Sequence, residues 1–145
     1  MKYILFFIIL ISQNAYSHLK VSPIELKKMS FEVINIKVPH ACELSKQTNK
    51  LVIDFPHNVF IAKPKYKYGW EAKTITSKIS EPKLSRNKVY LEEVSRLILE
   101  GELSTDYYDD FNINVLTPDS DELVIKIHQF CEDDDDEDEY FFKLK

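Results

Sequence analysis

The chain has 145 residues, 44% of them hydrophobic and 12% aromatic, which is one domain's length with enough apolar side chain for a packed core. Gly69 and Gly101 are its only glycines; this excludes collagen-like repeats, glycine-rich linkers, a Walker-type phosphate loop and a G-x-G-x-x-G dinucleotide fingerprint. The formal net charge is -5, yet residues 132–139 read EDDDDEDE, so the acidity belongs to one segment.

The first element is a leader. Met1-Lys2 precedes nine apolar residues, Tyr3 to Ile11, then Ser12-Gln13-Asn14 and Ala15-Tyr16-Ser17. The apolar run is too short for a spanning helix, which needs about 20 residues, and the small residues at 15 and 17 suit a signal peptidase. Residues 1–17 are therefore expected to be cleaved, leaving an exported chain, periplasmic or secreted, that begins at His18 with no membrane span. That mature chain carries 18 basic and 24 acidic residues; without 132–139 the balance is slightly basic.

The body reads as strands over 18–23, 31–38, 50–55, 70–76, 94–103, 110–116 and 122–130. Phe111, Ile113 and Val115 alternate with asparagines, as in a half-buried antiparallel strand. Leu123, Ile125 and Ile127 alternate too, with Cys131 on their parity and His128 on the other. Turn signals fall at Pro23, Pro39, Pro56-His57-Asn58, Tyr68-Gly69, Glu81-Pro82 and Pro118-Asp119-Ser120. The spacing predicts an all-β antiparallel sandwich. Within 88–100 a helix competes over the first half and a strand is preferred for the second. The Ser/Lys-rich stretch 77–88 reads as a mobile loop. The domain is assigned to 18–131, and 132–145 is an acidic segment with room for a terminal strand. A run of like charges reads first as solvated, and second as a weak collector of cations.

Cys42 and Cys131 are the only cysteines. In an exported chain they predict one disulfide; free thiols or a metal pair are the alternatives. A bridge closing so long a loop contributes on the order of 4 kcal/mol.

The chemistry starts at His18. Once exposed, its α-amine and ring Nδ1 can chelate one metal, the amine proton being displaceable near neutral pH. Nitrogen-rich tetragonal donors suit Cu(II). Antiparallel pairing of 18–23 with 31–38 would bring His18 toward Pro39-His40, with Cys42 and Glu43 next in the chain. The bridge would draw Cys131 and the start of the acidic run to the same end. His18, His40 and Glu43 are thus the candidate ligands, against the reading of His40 as a turn histidine bonded to backbone. His57 and His128 read as structural or solvated. Lys63, Lys65 and Lys67 interleave with Tyr66, Tyr68 and Trp70, a mixture that binds single-stranded nucleic acid. In an exported chain the preferred reading is a lysine-protected edge with Trp70 packed inside, and no nucleic-acid partner. No nucleophile-base constellation stands out.

These residues carry a resemblance. His18-Leu-Lys-Val-Ser-Pro-Ile-Glu25 followed by Lys37-Val-Pro-His40-Ala-Cys42 is similar to the H-V-x-V-x-P-x-E and V-P-H-G-C segments of the YcnI-like copper-binding domain family. Lys63-Pro64 through Gly69-Trp70 resembles its K-P-x-x-x-x-G-W, Tyr108-Asp109-Asp110-Phe111 its F-x-E-F, and Gln129-Phe130-Cys131-Glu132 its Q-T-C-E. The resemblance implies an Ig-like β-sandwich that binds copper through a mono-histidine brace, here His18, in periplasmic or cell-surface copper handling. It implies a carrier or chaperone rather than an enzyme, with another copper-handling protein as partner. The family's tryptophan after the second cysteine has no counterpart; Tyr140 or Phe141 stands in that region. Its acidic ligand is matched by Glu43 ahead of Asp54. The competing functions are a copper-dependent oxidative enzyme and a metal-free exported interaction module.

Overall fold

The computed structural model describes residues 19–42 and 45–132, and the backbone of 134–144. Residues 1–17, expected above to be a leader, lie outside the described residues together with His18, Glu43 and the side chain of Tyr140.

Nine strands run in chain order: β1 (Lys20–Ser22), β2 (Phe31–Val38), β3 (Gln47–Asp54), β4 (Ala62–Pro64), β5 (Glu71–Ser85), β6 (Lys88–Ser104), β7 (Asp109–Leu116), β8 (Leu123–Cys131) and β9 (Asp134–Leu144). They form two antiparallel sheets, β1-β2-β7-β4 and β5-β6-β3-β8-β9. The fold is an all-β sandwich with one disulfide, Cys42–Cys131. Alternation places one side of each strand inside. Ile34, Ile36 and Val38 of β2 and Phe111, Ile113 and Val115 of β7 meet Leu51, Ile53, Leu97, Leu99, Ile125 and Ile127 of the other sheet in one buried cluster. Each such side chain contributes roughly 1.5–3 kcal/mol by leaving water.

Three expectations are corrected. The stretch 77–88 is not a loop: it is the outer half of β5, the turn and the first residue of β6. Arg86 and Asn87 both have positive φ, 48° and 62°, the pattern of a two-residue type I′ hairpin turn. Pro82 is not a turn either. It lies where β5 loses register with β6, between Lys78 and Lys83, on an edge strand where a missing N–H costs no ladder bond. No part of 88–100 is helical; all of it belongs to β6. Beyond these, β3 starts three residues earlier than expected, and β4, a three-residue edge strand, had no expected counterpart. Among the described residues no helix is long and apolar enough to cross a membrane.

Candidate functional site

At one end of the sandwich β1 starts, β2 ends and β7 starts. Lys20 pairs with Lys37 and Val38 with Asp109. Leu19, just before β1, is buried. From Val38 the chain turns through Pro39, His40 and Ala41 into the disulfide, whose Cα atoms are 5.9 Å apart. Cys131 ends β8 and pairs with Asp134 of β9. The bridge therefore joins the His40 loop to the turn between β8 and β9.

This loop is held by a small buried network. Gln129 Nε2 donates to His40 O (2.9 Å) and Thr48 Oγ1 (2.8 Å). Cys42 N–H points at Cys131 Sγ (2.9 Å), and Ala41 N–H donates to Thr105 Oγ1 (3.3 Å). His40 Nδ1 lies 2.5 Å from Ala41 O. A carbonyl only accepts, so Nδ1 carries the proton and the Nε2 lone pair is left for another partner. The turn-histidine reading of His40 thus holds, and it fixes the tautomer a metal ligand would use.

The other candidates separate. In register, Tyr140 of β9 faces Ile127, four residues from Cys131 along β8, roughly 13 Å from the bridge at strand spacing. Asp54 ends β3 at the far end from Thr48, which pairs with Cys131. Arg96 Nε and Nη2 hold Asp54 at 2.5 and 3.0 Å, and His128 Nε2 is 3.3 Å away. The Arg96 guanidinium, assisted by His128, holds the Asp54 carboxyl below its ordinary range despite partial burial. His128 is on the outer side of β8 as its parity requires, but it is buried there, not solvated. His57 Nδ1 meets Glu93 Oε1 at 2.6 Å, and Asn58 N–H donates to Glu93 Oε2 at 2.8 Å. Burial pushes the Glu93 carboxyl up, but these two donors outweigh it and the net direction is down. Among the described residues no three His, Cys, Asp or Glu side chains group as a metal site.

A groove at the same end went unread in the sequence. It has a volume of about 920 Å³ and runs between the chain leaving β4 and the start of β5. Trp70 is its wall, edge-on to Phe111 at 4.7 Å. Tyr66 and Tyr68 stand out at its rim, 86% and 91% exposed. Trp70 N–H donates to Lys67 O (3.2 Å), closing a turn in which Gly69 takes φ 78°, the left-handed position a type II turn requires. Lys67 Nζ ties this turn to Asp109 Oδ1 (2.6 Å) and Asp110 O (3.1 Å). The interleaved lysines and aromatics were the signal; which strand edges they border needed the sheet pairing.

A family described as "Domain of unknown function (DUF1775)" matches residues 18–138. The chain belongs to this family. It is the YcnI-like family of the motifs above, and the DUF1775 domain takes in both sheets and the bridge. No protein of curated function matches the chain. Among solved structures, an uncharacterized protein from Nocardia farcinica with an immunoglobulin-like fold is similar, with a TM-score of 0.59 over 86% of this chain and 82% of that one at 13% identity. That likeness bears on the fold alone, which is immunoglobulin-like.

Proposed function

We propose that this protein is an exported copper carrier or chaperone, not an enzyme, and that it holds Cu(II) at its mature N-terminus. The observation that carries the reading is the pairing of Lys20 with Lys37. It brings the start of β1 to the end of β2, where the His40 loop and the disulfide lie. His18 is the residue directly before Leu19 in the sequence. The family match beginning at residue 18, where the expected cleavage falls, supports it further.

In this reading the His18 α-amine and Nδ1 chelate the ion, the amine giving up a proton whose pKa is ordinarily about 7.7–8.0. His40 Nε2 and the Glu43 carboxylate are the further donors, and a mixed N/O set of this kind favours Cu(II). Another copper-handling protein outside the cytoplasm delivers or receives the cargo. The test is paramagnetic resonance of the chain from His18 with one equivalent of Cu(II), beside His18→Ala, His40→Ala and Glu43→Ala. A weakened nitrogen-coupled signal in His18→Ala supports the brace, and smaller changes in His40→Ala and Glu43→Ala assign the further donors. An unchanged signal in His18→Ala removes it.

A further inference from the structure

We infer that the β4/β5 side of the sandwich is a docking surface for the acidic segment 132–139 of a second copy of this chain, giving head-to-tail assemblies. Residues 62–88 contain eight basic and two acidic side chains, whereas 132–139 contain eight carboxylates and no base. The topology keeps the two apart within one molecule. β5 and β9 are opposite edges of the five-stranded sheet, four strand spacings or about 19 Å from each other. Neutralisation between them is therefore intermolecular.

The basic side is shaped as well as charged. The groove walled by Trp70 is followed along β4 by a second one of about 940 Å³, walled by the β5/β6 hairpin. Lys65 lines the first and Lys63 the second, and Phe60 stacks on Tyr90 at 4.7 Å beside the latter. Lys67 is committed to Asp109. Lys63, Lys65 and Lys73 are exposed and make no ion pair among the described residues. Edge lysines discourage strand pairing with neutral partners; an acidic segment reverses that preference. Because the two surfaces differ, the contact is heterologous and does not close on a two-fold axis; it propagates from copy to copy as an open chain or a larger ring.

Sedimentation of the chain from His18 to Lys145, which holds the whole two-sheet body, tests this with a chelator present so that metal bridging cannot contribute. At about 10 mM ionic strength, where screening extends about 30 Å, the mean mass should rise to roughly double the monomer's or beyond as concentration increases. At about 1 M, where it extends about 3 Å, it should return to the monomer. A variant with 132–139 replaced by the corresponding amides, and one with Lys63→Glu, Lys65→Glu and Lys73→Glu, should each stay monomeric alone. Mixed, they should form a one-to-one pair and nothing larger, since each keeps one competent surface. A monomer at low salt, association persisting in either variant alone, or a mixture that forms no pair would overturn the proposal.

Discussion

The indole of Trp70 lies against the backbone of Gly101. A Cβ built on Gly101 would fall inside contact distance of Trp70 Cδ2, 2.7 Å from Trp70 Cε2 and 2.7 Å from Gly69 O. The missing side chain of Gly101 thus leaves the space in which the Trp70 indole seats. Gly101→Ala should lower stability by about 1–3 kcal/mol, the usual cost of forcing side chains out of place. Trp70 is the only tryptophan, so denaturation followed by its fluorescence reports both the loss and any shift of the indole. An unchanged midpoint and spectrum would contradict this packing.

The disulfide spans 89 residues of sequence. In the chain-entropy account, so long a closed loop stabilises by about 4.6 kcal/mol. The double variant Cys42→Ala, Cys131→Ala should lose about that much in chemical denaturation, and the parent should lose it in reductant. The His40 loop, hung on Cys42 and Gln129, should be the first part to exchange its amide hydrogens. Equal stability in oxidised and reduced forms would contradict it.

The Asp54–Arg96 pair sets an acid dependence. The folded carboxyl titrates lower than the unfolded one, whose ordinary value is about 3.9. The unfolded chain therefore binds the proton first as pH falls, and the contribution is complete above about pH 4 and lost as pH drops through the folded value. Asp54→Asn should cost about 1 kcal/mol at pH 7, because Arg96 is half-exposed and solvent screens the pair. Below about pH 4 the gap between variant and parent should shrink. A gap independent of pH would show that the charge is irrelevant.

Strands with one buried side were legible in the sequence. β2 spans the expected residues, and β7 and β8 differ by a residue at each end or less, because Ile34, Ile113 and Ile125 each sit in a run of buried side chains alternating with outward ones. Although 70–76 was legible as strand, the outer half of β5 from residue 77 was not, since it is exposed along nearly its whole length and has no buried face to impose a pattern. Its two-residue turn at Arg86-Asn87 lacks the glycine that would have announced it. The Asp54, Arg96 and His128 cluster draws one residue from each of three adjacent strands. Only the register assembles it. The bridge was readable because two cysteines allow one pairing.

Cu(II) affinity of the chain beginning at His18, compared with the same chain acetylated at the His18 α-amine, is the most direct test of the proposed carrier. The acetyl group changes no side chain and removes only the α-amine as a donor beside the imidazole. The account predicts tight one-to-one binding by the first chain and loss of most of it in the second. Equal affinities would mean that the amine and ring of His18 do not hold the metal together.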